Sequence, residues 1–285
     1  MNKKNYVGTT IVLVILAALW LLPTFGLLIT SLREGSQAQI TGWWDVFVHP
    51  FQTHWSGIAF KQALEKNGLA ASFISSAAVT IPATILPLLF AAYAAYGFTF
   101  LRFRGRELFF STIIGLLVIP TEAALVPVLK MFLAFTKLTG IPISGQYAAA
   151  WMVHAAFAMP LAIYILRNYM STIPTALIEA ARIDGAEDYK IFWRLVLPIS
   201  VPALASFAIF QFLWVWNDLL VALTFASGTE EVAPINSKLA SLVGQYGSGY
   251  TQLSAGAFIT IALPLVVFFS LQRYFVRGLL AGSVK

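Results

Sequence analysis

The feature that most restricts the fold of this chain is its first apolar run, Val7 to Leu32, which has 26 residues and no charged side chain. A helix crosses the hydrocarbon core of a bilayer with about 20 apolar residues, so this run can span a membrane. It follows Lys3 and Lys4. It is also longer than the apolar core of roughly 7 to 15 residues in a cleaved signal peptide. We therefore predict a retained first transmembrane helix.

Five further apolar runs follow, each bounded by polar or basic residues. Charged residues make up only 11% of the chain, against roughly a quarter in an ordinary soluble domain. The sequence thus predicts an all-α, polytopic membrane protein with six transmembrane helices, forming a single domain over residues 1–285. The predicted second to sixth spans are Gly68 to Phe100, Leu108 to Phe135, Gln146 to Leu166, Leu195 to Ala226 and Leu253 to Phe275.

Polar segments and residue counts narrow the possible functions. Arg33 to Asn67 is a mixed polar segment containing several Trp residues, which suits a loop on the membrane surface. Ser227 to Gln252 is a second polar loop, rich in Gly and Ser. Cysteine is absent and the three His residues are scattered. The sequence therefore predicts no disulfide, no metal site and no resident cofactor.

The distribution of Lys and Arg predicts the orientation of the chain. With the N-terminus inside, 12 of the 18 basic residues fall on the cytoplasmic side, among them the cluster Arg102, Arg104 and Arg106. Cytoplasmic loops carry such an excess of positive charge. This accounts for the net charge of +6 without a nucleic-acid partner. Both termini are predicted to lie in the cytoplasm.

The longest internal region that combines charge, helix-forming residues and a turn glycine extends from Glu179 to Pro198. Pro174 suits the first turn of a helix because its missing N–H would be unpaired there anyway. Gly185 then separates this helix from a second one, Ala186 to Leu195, so that residues 171–195 form two short cytoplasmic helices. Glu179 and Arg182 are spaced to pair on one helix face. From the residues alone, an interfacial connector and a docking element for a partner are equally good interpretations.

A motif within this stretch resembles the EAA signature of permease subunits of ABC importers. The signature is EAA, three residues, Gly, nine residues, Ile, one residue and Leu-Pro, and this chain departs from it only in having Leu at the Ile position. The resemblance extends to the second permease of maltose-type carbohydrate importers, a binding-protein-dependent transport system inner membrane component. The residues that carry it are Glu179, Ala180, Ala181, Gly185, Leu195, Leu197, Pro198, Trp216-Asn217-Asp218 and Gly278 to Lys285.

The resemblance implies a type I ABC importer permease fold and ATP-driven uptake of a sugar, with an α-glucoside favoured. It also implies a homologous second permease, a dimer of ATPase subunits and an extracytoplasmic sugar-binding protein as partners, beside membrane lipid. The chain has no GxxxxGK[ST] phosphate-binding loop, so ATP is expected to bind the partner ATPase, and the chain itself is not expected to be an enzyme.

The resemblance also assigns roles to particular segments. The Ser227 to Gln252 loop is expected to reach the binding protein, and the tail from Val276 to Lys285 to reach the ATPase pair. Contact with the ATPase is expected from Glu179, Ala180, Ala181, Arg182, Asp184 and Gly185.

Polar and aromatic side chains inside the spans are candidates for the translocation path, because ionisable groups are costly in lipid and are usually functional. Each has a structural alternative, such as pairing of Glu122 with Lys130 or bracing of helix packing by Asp218. A secondary transporter driven by an ion gradient through Glu122 and Asp218 is an alternative class. An intramembrane enzyme is less well supported, since no convergent catalytic set is present. The path candidates are Glu122, His154, Trp214, Trp216, Asn217 and Asp218.

Overall fold

A computed structural model describes residues 3–226, 233–242 and 249–281. Regular structure in these ranges is helical, apart from one isolated backbone bridge. Four helices are each long and apolar enough to cross a membrane, and they match the predicted first, second, fourth and sixth spans. These are α1 (Lys3–Leu32), α5 (Leu69–Phe100), α8 (Tyr147–Met170) and α14 (Tyr250–Ala281).

The predicted third span is a sharply bent pair of helices. Helix α6 (Arg106–Gly115) passes through a short 3-10 turn into α7 (Thr121–Thr139), and the two directions differ by 103°. The bend lies at Ile119, whose backbone is extended, with φ −76° and ψ 119°. Proline disfavours the helical conformation in the residue before it, so Pro120 explains where the helix stops.

The predicted fifth span also divides in two. A helical stretch over Asp188–Ile199 is followed by α12 (Val201–Asn217), at an angle of 72°. Pro198 and Pro202 flank the bend, and each removes a backbone donor from the helical ladder. The hydroxyl of Tyr169 donates to the carbonyl of Ile199 at 3.2 Å, which satisfies an acceptor at the bend. Counting each bent pair as one span brings the total in the described ranges to six.

Two compact units make up the chain. The first comprises Met1–Ala71 and Lys238–Ala262, and the second comprises Ser72–Ser237 and Leu263–Lys285. In the first unit, the polar segment after α1 holds three short helices and returns to the end of α1. The amide of Ser56 donates to the carbonyl of Leu32 at 2.7 Å. The three helices are α2 (Gly35–Ile40), α3 (Asp45–Val48) and α4 (Ile58–Lys61), the last continuing as a π-helical turn.

The predicted loop from Ser227 to Gln252 needs correction. It contains a helix, α13 (Ile235–Ser241), and α14 already begins at Tyr250. The amide of Ile235 donates to the hydroxyl of Ser76 at 2.8 Å, so the start of α13 is held by α5. Residues 227–232 and 243–248 lie outside the described ranges, as do residues 282–285 of the tail.

Candidate coupling helices and transport path

The predicted pair of cytoplasmic helices is present around Gly185. Helix α9 (Thr175–Ile183) begins directly after Pro174, and α10 (Asp188–Ile191) follows the turn. Gly185 has φ +82°. Glycine adopts this conformation more easily than other residues because glycine lacks a Cβ. The second helix differs from the prediction over Ala186 to Leu195. It starts later and continues through a π-helical turn and α11 (Leu197–Ile199).

One side of this helix pair is anchored in the core of the second unit. Ile178, Ile191, Phe192 and Val196 are buried in a cluster that also contains residues of α5, α8 and α12. The ring of Phe192 lies against Tyr96 of α5, with ring centroids 5.5 Å apart. The anchoring residues are hydrophobic, so burying each one stabilises the contact by about 1.5–3 kcal/mol. The helix pair is therefore packed into the same hydrophobic core as the spans.

The opposite side carries exposed apolar side chains beside charged ones. Ile183 is 85% exposed and Tyr189 is 63% exposed, although both are large hydrophobic residues. Glu179, Ala180 and Asp184 are exposed on the same short segment. Glu179 forms no ion pair with any residue in the described ranges. A surface that combines exposed apolar side chains with a free carboxylate is suited to a protein partner.

Helical spacing predicted that Arg182 pairs with Glu179, but in the structure Arg182 pairs with a different residue. Its guanidinium instead crosses the Gly185 turn to Asp188, with Nη2 2.9 Å from Oδ1. The hydroxyl of Tyr96 donates to the same Oδ1 atom at 3.1 Å. The Asp188 carboxylate raises the pKa of Arg182. Asp188 therefore connects the two short helices to α5, a role that the sequence pattern did not indicate.

Four of the six path candidates meet in one small cavity. Glu122, His154, Trp214 and Asp218 line a space of about 40 Å³. His154 is buried, and its Nε2 lies 3.8 Å from Oδ2 of Asp218. One water molecule occupies about 30 Å³ in the liquid. The cavity is therefore too small for a sugar ring in this conformation, and Glu122 faces this cluster rather than Lys130.

The carboxylate of Asp218 also shapes the backbone. Asp218 directly follows the last residue of α12. Its carboxylate accepts hydrogen bonds from the amides of Leu220 at 3.0 Å and Val221 at 3.1 Å. A short acidic side chain that accepts from amides two and three residues later starts a helical turn. Here that turn leads into the π-helical segment Ala222–Ala226. Asp218 thus has the structural role that the sequence left open, and it lines the cavity as well.

The other two path candidates lie away from this cavity. Trp216 is buried and stacks on Phe212, with ring centroids 5.8 Å apart, and it meets Phe73 edge to face. Asn217 is exposed and donates from Nδ2 to the carbonyl of Leu213 at 2.8 Å, within its own helix. Trp216 therefore packs α12 against α5 and does not line the small cavity in this conformation.

An apolar cleft lies on the other side of Trp214. Its volume is about 510 Å³, and its walls come from α8, α12 and the second half of α14. Gln211 is the polar residue in this lining, and its Nε2 donates to the carbonyl of Ala83 at 3.2 Å. The Oε1 atom of Gln211 is buried and has no hydrogen-bond partner among the residues that the structure describes. A lone Gln in an apolar helix gave no sequence signal strong enough to single it out.

The family model described as binding-protein-dependent transport system inner membrane component matches residues 87–280. The chain belongs to this family. The match includes the EAA stretch and both bent helix pairs, and the family has several membrane-spanning helices. The resemblance inferred from the Glu179 to Pro198 motif is therefore confirmed.

Curated relatives extend the similarity over almost the whole chain. The chain is 46% identical to the osmoprotective compounds uptake permease protein GgtD of Synechocystis sp., over 96% of this chain and 91% of the relative. It is also 46% identical to the alpha-glucoside transport system permease protein AglG of Rhizobium meliloti, over 79% of this chain and 59% of the relative. The melibiose/raffinose/stachyose import permease protein MelC of Bacillus subtilis is 29% identical over 97% of this chain and 95% of the relative.

Solved structures show the same fold. A chain of a bacterial ABC transporter involved in the import of the acidic polysaccharide alginate matches with a TM-score of 0.72, at 21% identity, over 96% of this chain and 99% of that chain. A chain of the MetNI methionine ABC transporter matches with a TM-score of 0.52, at 20% identity, over 74% of this chain and 94% of that chain. The all-α fold of an ABC importer permease is confirmed, and this chain is a transport component rather than an enzyme or a secondary transporter.

We expect reversal of either charge in the Arg182–Asp188 pair to weaken coupling between ATP hydrolysis and uptake. Because the pair is about half exposed, its loss costs about 1 kcal/mol of local stability at the turn, so we expect the ratio of substrate transported to ATP hydrolysed to be lowered but not abolished. Arg182→Asp and Asp188→Arg should each show this loss, and the double variant should recover most of it. The ratio is measured in proteoliposomes. A double variant no better than its singles would contradict the assignment.

A second prediction concerns Gly185. A Cβ added there would meet no atom within 4 Å, so only its φ of +82° restricts substitution. Asn adopts this conformation readily, whereas a β-branched residue does so only with strain. We therefore expect Gly185→Asn to retain most uptake and Gly185→Val to lose most of it at equal membrane levels. Equal losses in the two variants would show that the side chain, not the backbone, matters.

Proposed function

We propose that this chain is one of two homologous permease subunits of an ATP-driven importer that carries a sugar, of α-glucoside type, across the cytoplasmic membrane. The observation that carries the substrate class is the 46% identity to the relative named for alpha-glucoside transport. Relatives named for other oligosaccharides support a sugar more broadly. The relative named for osmoprotective compounds makes such compounds the second candidate substrate.

The proposed partners are a second permease, a dimer of ATPase subunits and an extracytoplasmic binding protein. The exposed face of α9 and α10 supports the ATPase contact. On this face Ile183, Tyr189 and Glu179 are exposed and therefore available to a partner. The buried face of the same helices is fixed to α5, α8 and α12. Closure of the ATPase pair would therefore pull on the spans through a rigid connection. Because ATP belongs to the partner subunits, no cofactor is assigned to this chain.

The proposed orientation places both termini and the helix pair in the cytoplasm. Arg102 and Arg104 lie between α5 and α6, and Arg106 begins α6. All three are near the end of α5 that Arg182 contacts. The guanidinium of Arg182 donates to the carbonyl of Phe100 at 3.4 Å, which connects the two regions directly. The concentration of basic residues at this end supports the cytoplasmic assignment.

Transport through this subunit requires the small polar cavity to open. Glu122, His154 and Asp218 supply hydrogen-bonding groups suited to sugar hydroxyls, and Trp214 supplies an aromatic surface between them and the apolar cleft. At about 40 Å³ the cavity is closed to sugars in the conformation described. We propose that ATP-driven movement of α12 relative to α7 and α8 widens it. Trp214 then becomes the aromatic surface over which the sugar passes.

The substrate is tested by purifying the chain with its partner subunits and measuring ATPase activity with loaded binding protein. We expect stimulation by a binding protein loaded with α-glucosides, and uptake of the same sugar into proteoliposomes. Uptake of osmoprotective compounds without competition from α-glucosides would favour the second candidate. A chain that transports in vesicles without any ATPase subunit would overturn the importer assignment.

The coupling surface is tested with Ile183→Asp and Glu179→Lys. Both residues are exposed, so membrane insertion and thermal stability should stay close to those of the parent chain. Uptake should fall at least tenfold, because a charge on the apolar surface and a reversed carboxylate both oppose docking of the ATPase. The check is co-purification of the ATPase together with uptake. The control is the charge reversal Lys137→Glu, at an exposed position in the last turn of α7 and away from the helix pair, which should leave both unchanged.

A further inference from the structure

Helix α1 changes its surroundings at Gly26. Side chains from Val7 to Phe25 are exposed with one partial exception, whereas those from Gly26 to Arg33 are buried or half-buried. The apolar run of 26 residues is about 39 Å long at 1.5 Å per residue. The hydrocarbon core is about 30 Å thick, so a run that enters the core at Val7 leaves it close to Gly26. The exposed part of α1 therefore matches the thickness of the bilayer.

The segment that covers α1 from Gly26 onward is the loop around α3. A Cβ at position 26 would lie 2.8 Å from Nε1 of Trp43, so the glycine allows the indole to pack directly on the helix. The ring of Phe47 stacks on Phe25, with centroids 6.5 Å apart. These two contacts place the loop beside α1 at the level where the bilayer ends.

Arg33 fixes the loop in this position. Its side chain is buried at the end of α1 and donates from Nη1 to the carbonyls of Thr41 and Gly42, at 3.2 and 2.9 Å. Asp45 lies 3.9 Å from Nη2 of the same arginine and 3.0 Å from Nδ1 of His49. Arg33 is thus buried and Asp45 mostly covered, whereas His49 is half exposed. The hydrogen bond from His49 lowers the pKa of Asp45.

The outer side of the loop is apolar and aromatic. Five residues, here named the aromatic collar, are each more than half exposed, and Phe51 is fully exposed. Large apolar patches on a protein surface mark contact sites, because leaving them in water is unfavourable. Trp is especially enriched where a protein meets the headgroup layer of a membrane. The collar consists of Trp44, Phe47, Val48, Phe51 and Trp55.

We propose that the aromatic collar inserts into the lipid headgroup layer on the side of the membrane opposite the N-terminus. Two observations select lipid as the occupant. The collar is continuous with the exposed, membrane-spanning face of α1 through the stack of Phe47 on Phe25. It also lies at the level where the length of α1 places the boundary of the hydrocarbon core. In this position the collar sets the depth and tilt of α1, which the helix length alone leaves undetermined.

The absence of cysteine from the chain makes a direct test possible. Single cysteines are introduced as Phe51→Cys and Phe47→Cys, with Leu13→Cys in the middle of α1 as the lipid control and Glu65→Cys as the water control. Leu13 and Glu65 are exposed in the same unit as the collar. Each full-length variant is purified with its transport partners, reconstituted in phospholipid bilayers and labelled with a nitroxide. Collision rates with oxygen, which partitions into lipid, and with a water-soluble nickel chelate are then measured.

We expect the ratio of oxygen to nickel collisions at positions 47 and 51 to lie between those of the two controls, several-fold above Glu65→Cys. A ratio equal to the Glu65→Cys value would place the collar in water and overturn the proposal. Low collision rates with both reagents would also overturn it, because they would show a protein partner covering the collar. Phe51 is fully exposed, so its replacement tests the proposal even if Phe47→Cys disturbs the stack on Phe25.

Discussion

The packing of Phe192 between two tyrosines of α5 is the contact that holds the two short helices against the membrane helices. Its ring lies 5.2 Å from that of Tyr93 and 5.5 Å from that of Tyr96, measured between centroids. Through it the short helices α9 and α10 share a hydrophobic core with the membrane helices. Without such a core, a force applied to the exposed face of α9 would bend a loop rather than move a span. Asp188 also accepts hydrogen bonds from Arg182 and Tyr96. Because a hydrogen bond requires a particular geometry, these contacts help to fix the orientation of the short helices on α5.

Prolines determine where the spans bend, and the bends determine where polar groups meet. Pro120 ends one helix and starts α7, which brings Glu122 in the first turn of α7 to His154 on α8. Acidic residues are favoured in the first turn of a helix because of its dipole. At the far end of α12, Asp218 stops the helix and starts the next turn with its own carboxylate. Two of the polar groups that line the cavity, Glu122 and Asp218, therefore lie at helix ends, where unpaired backbone groups already require polar partners.

The sequence predicted most of the fold because membrane spans obey simple rules of length and charge. The run from Val7 to Leu32 and the basic cluster after Phe100 were enough to place α1 and the end of α5. The EAA spacing located the two short helices and the glycine turn between them. The sequence showed that Pro120 interrupts the span. It did not show the angle between α6 and α7, because that angle depends on which neighbours form hydrogen bonds with the backbone groups that the interruption leaves unpaired. Helix α13 was missed because seven residues of mixed polarity resemble a loop.

Site residues were harder to predict than helices because helical spacing offers several partners and tertiary packing selects one. Arg182 has Glu179 on its own helix and Asp188 beyond the turn, and Asp188 is selected because Tyr96 already holds that carboxylate. Trp214 and Trp216 are two residues apart, so they point to different sides of one helix. One borders the cavity and the other packs against Phe73. From the residue type alone, both tryptophans were equally good candidates for the translocation path. Only the direction of α12 after its bend separates the tryptophan available to a substrate from the tryptophan that holds the helices together.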